Sequence, residues 1–238
     1  MTEELENLRD CFAIEQMQVD IKIDIDELLE LEGKYYNSKM CGKLPISSSK
    51  DIYSKMTSDD AKTWENKGFS REEAFILMLY IGFSSCWINT RLNNRKIKRD
   101  PLHKLVVKHL DFVLTKINPA DGLTIYRMDK HKDPEVSSSW FTLNLKNVIQ
   151  TQWFLSTSIE DFENTKVVWK IKTLPADKTK SRLVYQVYNH GNEKEVLFQR
   201  DACFLVKEVE LEGNKLIVTL DETCDKTKTP IKLTNGAY

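Results

Sequence analysis

The chain has 238 residues, 41% of them apolar, which is enough for one large or two small domains with a proper core and excludes global disorder. A formal net charge of −1 excludes the overall basic field that nucleic-acid binding draws on. No run reaches the ~18 apolar residues of a membrane span, the best candidate (74–88) being shorter and amphipathic, so a soluble protein with no membrane partner is expected. Five cysteines, Cys11, Cys41, Cys86, Cys203 and Cys224, lack close CxxC spacing, and the histidines are scattered. This argues against a disulfide framework and against a metal site, and favours a reducing compartment. The opening Met-Thr-Glu-Glu-Leu-Glu lacks a basic region leading into an apolar run, so no signal peptide is expected.

The first 32 residues carry eleven acids against Arg9 and Lys22 and read as helical material ending at Gly33, although Ile21, Ile23 and Ile25 alternate as in a strand. Tyr35 to Ser54, with Gly42, Pro45 and three consecutive serines, reads as a connection. We therefore place an acidic helical extension at 1–55 and a second unit at 56–238. Ser70 followed by Arg71-Glu72-Glu73 is a capping box, and Phe75, Met78, Leu79, Gly82, Phe83, Cys86 and Leu92 continue at helical spacing. Arg91 to Lys108 is basic except for Asp100, either a solvated face or a surface for a phosphate-bearing ligand. Pro101 opens another predicted helix, with Val106, Leu110, Val113 and Ile117 on one face and a stop before Asn118-Pro119.

After Gly122 the pattern becomes that of strands: Leu123–Arg127, Thr151–Leu155, Val167–Lys172, Leu183–Tyr188, Glu195–Phe198, Phe204–Val209 and Leu216–Leu220, with Gly213-Asn214 turning the last two into a hairpin. Helices gathered ahead of strands indicate an α+β domain.

Three groups of residues carry chemistry. Arg127 ends a predicted strand, where a planar guanidinium can fork onto phosphate oxygens. Ser156-Thr157-Ser158 follows Leu155; if extended, Ser156 and Ser158 line one face and Thr157 packs on the other. Glu193 and Glu195 are also two apart and share a face if extended. Arginine, Ser-Thr-Ser and Glu-x-Glu, in that order, resemble the signature of arginine-directed mono-ADP-ribosyltransferases. Tyr80-x8-Asn89-x-x-Leu92, the helix after it and Ile125-Tyr126-Arg127 are similar to the helix-helix-strand lead of the bacterial toxin branch. The resemblance spans about residues 70 to 220.

It implies an ADP-ribosyltransferase-like fold, with N-terminal helices packed on a mixed, mostly antiparallel two-sheet β core. It also implies NAD as substrate, no metal, and an acceptor protein modified on arginine. Arg127 corresponds to the strand arginine that binds NAD phosphate. Ser156 holds the catalytic acid Glu195, while Thr157 and Ser158 support the cleft. Glu193 confers arginine as acceptor; relatives that modify asparagine or Rho-type targets more often carry Gln there. Tyr80 and Asn89 approach NAD from the helical side, Phe162 is placed to stack on nicotinamide, and Val187 to Lys194, with Tyr188 and His190, form the loop that reads the acceptor. Two positions depart from the pattern: Met128 stands where Gly is usual and Asn93 where Arg is common. A bacterial effector or toxin delivered into a target cell by a specialised secretion system is the expectation. An NAD glycohydrolase on the same fold and a non-catalytic binding module derived from it are the alternatives. A Cys/His hydrolase using Cys86 or Cys203 finds no motif that exposes a nucleophile.

Overall fold

The structure is a computed structural model that describes residues 66–81, 85–93, 101–129, 132–161, 165–188, 194–225 and 227–233, with Asp26 and Trp64. The expected extension at 1–55 lies outside the described residues apart from Asp26, as do Phe162, His190 and Glu193.

Helix α1 (Arg71–Leu79) begins as its capping box dictates: the Ser70 hydroxyl accepts from the Glu73 amide at 3.2 Å, and the Glu73 carboxylate accepts from the Ser70 amide at 3.0 Å. The same carboxylate pairs with Lys116, which ties the start of α1 to the residue that follows α3 (Pro101–Thr115). The helical run expected through Leu92 is described as α1, π-type backbone at Tyr80–Ile81, and α2 from Ser85 to Asn93, on either side of 82–84, which lie outside the described residues. Helix α3 opens at Pro101 and buries Val106, Leu110 and Val113, with Ile117 buried just beyond its end. It packs on both earlier helices, and its buried His103 ring lies 2.9 Å from the Ile88 carbonyl of α2.

Strand β1 (Thr124–Met128) is followed by an unanticipated helix, α4 (Pro134–Leu143). Its start signal is present in the sequence: Asp133 accepts from the amides of Glu135 and Val136 at 2.9 and 3.0 Å, and Pro134 occupies the first turn. The remaining strands are β2 (Val148–Thr151), β3 (Leu155–Ser158), β4 (Val167–Lys172), β5 (Ser181–Arg182), β6 (Glu195–Phe198), β7 (Ala202–Glu212), β8 (Lys215–Glu222) and β9 (Ile231–Lys232). Hydrogen bonds join them in one sheet of order β5-β6-β3-β1-β4-β8-β7-β2-β9, continuous where two sheets were expected. The β4–β8 and β2–β9 pairs are parallel and the rest antiparallel, so the mixed, mostly antiparallel α+β architecture is as expected. Gly213, at φ 58, supplies the left-handed residue of the β7–β8 turn.

Two predicted strands are corrected. Thr151–Leu155 is mostly a connection: Thr151 ends β2, Leu155 starts β3, and Trp153 and Phe154 between them are buried side chains without strand pairing. Leu183–Tyr188 forms a 3-10 turn at Val184–Gln186, in which the Val187 and Tyr188 amides donate to the Val184 carbonyl at 2.9 Å. Its apolar side chains suit a strand, but Val184 is fully buried and Tyr188 stacks on Trp64, 5.4 Å between ring centroids, so tertiary packing overrides local preference.

The core is aromatic where the layers meet. Trp169 of β4 takes Phe141 of α4 edge-on at 5.6 Å, and Phe198 of β6 takes Phe204 of β7 at 5.0 Å. At the end of β8 the buried Glu222 carboxylate accepts from the Leu174 amide (2.9 Å), the Lys180 amide (2.7 Å) and the Thr179 hydroxyl (2.6 Å). One side chain thereby fixes the connection from β4 to β5, and burial pushes its carboxyl above the usual range.

Burial, and secondarily Lys108, push the imidazole of His109 on α3 from the usual 6.5 down to about 4. Because the folded pKa is depressed, the unfolded chain binds the extra proton between these values, and stability falls as pH drops from 6.5 towards 4. His109→Leu is expected to remove about 2 kcal/mol of the loss between pH 7 and pH 5. Urea midpoints of both proteins at the two pH values test this.

Candidate active site

Three neighbouring strands bring the predicted residues together. In the β6-β3-β1 part of the sheet, Glu195 pairs with Ser158, and Ser158 pairs with Tyr126. Ser156, two residues before Ser158, therefore shares a face with Glu195 as its diagonal cross-strand neighbour. The Ser156 hydroxyl donates to Glu195 Oε1 at 2.6 Å, a short charge-assisted hydrogen bond that holds the carboxylate in one orientation. Both residues are half-buried.

Strands β1 and β3 share a single paired position, Tyr126 with Ser158, whereas β1 pairs with β4 along its whole length. Near this opening the Ser156 carbonyl is met by a side chain: Arg127 Nη1 donates to it at 3.1 Å. Arg127 Nη2 pairs with the buried Asp129 carboxylate at 2.8 Å, and the guanidinium lies 5.8 Å from the Trp169 ring centroid. A carboxylate, a backbone carbonyl and an aromatic face thus orient the cation, whose side chain stays 23% exposed. Asp129 and Trp169 were not foreseen. The Arg127-x-Asp129 spacing is a readable hint, but nothing in the sequence places Trp169, which reaches Arg127 only through the β1–β4 register.

The helices close the site from the other side. Tyr80 is buried; its hydroxyl donates to the Phe154 carbonyl at 3.1 Å and accepts from Asn89 Nδ2 at 3.0 Å. Asn89 Nδ2 also donates to the Phe154 carbonyl at 3.0 Å. The end of α1 and the middle of α2 therefore clamp the residue that precedes β3. Burial first, and the Glu195 carboxylate second, hold the Tyr80 phenol above its ordinary range, against the opposing pulls of the Asn89 hydrogen bond and the Arg127 guanidinium. Tyr80 lies within electrostatic reach of both Glu195 and Arg127, so the three strand residues and the two helix residues form one constellation. Asn89 Oδ1 is buried with no hydrogen-bond partner among the described residues.

The other predicted residues divide. The Thr157 hydroxyl donates to the Val196 carbonyl at 2.6 Å, tying β3 to β6 on the face opposite Ser156. Ser158 is buried, and its hydroxyl accepts from the Glu160 amide at 3.0 Å, closing the turn after β3. Met128 stays in the ladder opposite Val168, so the strand continues where a glycine turn was the family's habit. Strand β6 begins at Glu195 as predicted, and Lys194, ahead of it, has φ 45; Glu193 lies outside the described residues.

The profile of the ADP-ribosyltransferase exoenzyme family matches residues 53–234. The chain belongs to this family. No curated protein matches it by sequence. Solved structures of the same fold include the ADP-ribosyltransferase toxin Plx2a from Paenibacillus larvae, with TM-score 0.54 and 18% identity, covering 74% of this chain and 96% of that one. C3stau2 from S. aureus, solved with NAD, gives TM-score 0.54 and 16% identity over 71% of this chain and 95% of that one. Exoenzyme S from Pseudomonas aeruginosa, solved with human 14-3-3 protein beta and carba-NAD, gives 0.53 and 16% over 74% and 90%.

For an ADP-ribosyltransferase exoenzyme, NAD is the substrate the cleft must fit, and the residues present suit it. A partly exposed guanidinium is a group that phosphate oxygens accept from, and among the described residues the buried Asn89 oxygen has no donor. Among the described residues, no group of three or more His, Cys, Asp or Glu is placed to hold a metal ion, and no helix is long and apolar enough to cross a membrane.

Ser156→Ala removes a hydrogen bond to a charged group, of the kind worth about 1.5–3 kcal/mol, so turnover of NAD is expected to fall about ten- to hundredfold. The thermal midpoint should stay within a few degrees of the parent. Nicotinamide release and a melting curve on the same sample check both.

Proposed function

We propose that this exoenzyme is an NAD-dependent mono-ADP-ribosyltransferase that modifies arginine on a protein, acting as a bacterial effector or toxin. The observation that carries the reading is the Ser156–Glu195 hydrogen bond at 2.6 Å, formed while Arg127 grips the backbone carbonyl of the same serine. A carboxylate so held faces a ribose whose positive charge grows as the bond to nicotinamide breaks, and it stabilises that charge without reorganising. Nicotinamide leaves with the bonding electron pair. Arg127 takes the pyrophosphate, and the Asn89 carbonyl oxygen accepts a hydrogen bond from a donor of the dinucleotide. Phe162 stacks on the nicotinamide, and Thr157 and Ser158 keep the cleft wall in place.

Glu193 is the acceptor-side acid. A guanidinium is too basic to attack unaided, so a carboxylate must orient it and take its proton as the nitrogen–ribose bond forms. Both glutamates of Glu-x-Glu are present, and this supports arginine over acceptors whose nucleophile needs no such base. The acidic residues 1–55 dock the acceptor or mask the cleft.

Four measurements test these assignments. Glu195→Gln is expected to lower both transfer and NAD hydrolysis by about 10²–10³-fold, because the developing charge loses its counter-charge. Glu193→Gln should lose transfer while keeping most of the hydrolysis; equal loss in both reactions refutes its role. Incubation with labelled NAD and a cell lysate, followed by sequencing of the labelled peptide, must find arginine. Deletion of 1–55 should change which proteins are labelled.

A further inference from the structure

We propose that Tyr80 is a positioning residue of the NAD reaction: its hydroxyl fixes the backbone ahead of Ser156, and so sets how fast the bond to nicotinamide breaks rather than how tightly the dinucleotide is held. The inference rests on the reading of Ser156 and Glu195 given above, and it departs from the expectation that Tyr80 approaches NAD directly. Tyr80 is 1% exposed, which leaves a dinucleotide no surface of the side chain to contact. Its hydroxyl is engaged twice, donating to the Phe154 carbonyl at 3.1 Å and accepting from Asn89 Nδ2 at 3.0 Å. Its ring meets the Phe154 ring edge-on, 5.5 Å between centroids. Burial first, and the Glu195 carboxylate second, hold the phenol above its ordinary range, so the donated proton stays in place at neutral pH. Tyr80 therefore acts on the site by way of residue 154.

From Phe154 the path to the carboxylate is two residues long. Phe154 stands just outside the β3–β6 ladder, which starts with Leu155 opposite Phe198. Strand β1 joins β3 at one position only, Tyr126 with Ser158, whereas β4 is laddered on both sides, by β1 and by β8. The backbone at the start of β3 is instead met by side chains. Arg127 donates to the Ser156 carbonyl, and Tyr80 and Asn89 donate to the Phe154 carbonyl. A backbone placed by single donors shifts when one is lost, and the Ser156 hydroxyl, 2.6 Å from Glu195 Oε1, shifts with it. Asn89 keeps its own hydrogen bond to the Phe154 carbonyl, so loss of the Tyr80 hydroxyl loosens this stretch without releasing it.

Tyr80→Phe keeps the ring and its packing and removes only the hydroxyl. Nicotinamide release at saturating NAD is expected to fall about tenfold, the scale of one hydrogen bond. Affinity for carba-NAD, an analogue that cannot release nicotinamide through an oxocarbenium ion, should stay within about twofold of the parent. Carba-NAD binding weakened about tenfold makes Tyr80 a contact of the dinucleotide, and unchanged turnover makes it structural only; either result overturns the proposal. The route through Ser156 is tested in a Ser156→Ala background, where the link to Glu195 is already cut. There, Tyr80→Phe is expected to cost less than about twofold more, and a further tenfold loss overturns the proposal. If Ser156→Ala itself turns over NAD at the parental rate, the reading of the Ser156–Glu195 pair fails and this inference falls with it. If Ser156→Ala is slow and Tyr80→Phe is not, only the positioning role of Tyr80 fails.

Discussion

The Phe154 carbonyl, immediately ahead of β3, receives two donors at once, the buried Tyr80 hydroxyl and the half-buried Asn89 amide. A strand in a sheet satisfies its backbone laterally, but this carbonyl is satisfied from above, by helices. The requirement couples the helical layer to the one strand that touches every part of the site. Edge-on packing of the Tyr80 and Phe154 rings at 5.5 Å, and an Arg200 guanidinium 5.8 Å from the Phe154 ring centroid, brace the same residue. Arg200 itself forks onto Asp111 of α3, so α1, α2 and α3 all bear on the start of β3.

From that fixed point the site assembles by short steps. Two residues on, Ser156 holds Glu195 through its hydroxyl and Arg127 through its carbonyl. A further two residues on, Ser158 receives the Glu160 amide, and Glu160 reaches Lys194. Four residues of one strand thus organise a cation, the Glu195 carboxylate and Lys194 ahead of it. The side chains that point away, Leu155 and Thr157, are buried, and Thr157 ties β3 to β6 through the Val196 carbonyl. Alternation along β3 divides the labour: one face carries the hydroxyls of Ser156 and Ser158 and the other secures the strand.

Much of this was legible because it is local. The capping box at Ser70, the proline start of α3, the β7–β8 hairpin and strands such as 167–172 each depend on a few adjacent residues, and each formed where expected. The failures are where distant contacts outweigh local preference. Val184 and Tyr188 have strand-like side chains, but burial and the Trp64 stack fold that stretch into a turn. The helical spacing continues past Leu79 in sequence, yet the backbone widens to π-type at Tyr80–Ile81, where the Tyr80 ring is committed to Phe154. The helix at 134–143 had its Asp-Pro signal but little amphipathic pattern: Val136 and Leu143 are exposed while Ser137 is buried.

The sequence by itself determined the α+β class and the order in which Arg127, Ser156 and Glu195 occur, because motif spacing and strand alternation are properties of the chain alone. The tertiary structure decided how those residues meet. Only strand order sets β3 between β1 and β6, and only the β1–β4 register brings Trp169 to the Arg127 guanidinium. It also decided that the middle residue of Glu-x-Glu is left-handed. No propensity of lysine predicts that conformation; in the fold the Ile159 amide and the Glu160 carboxylate meet Lys194 from the turn after β3.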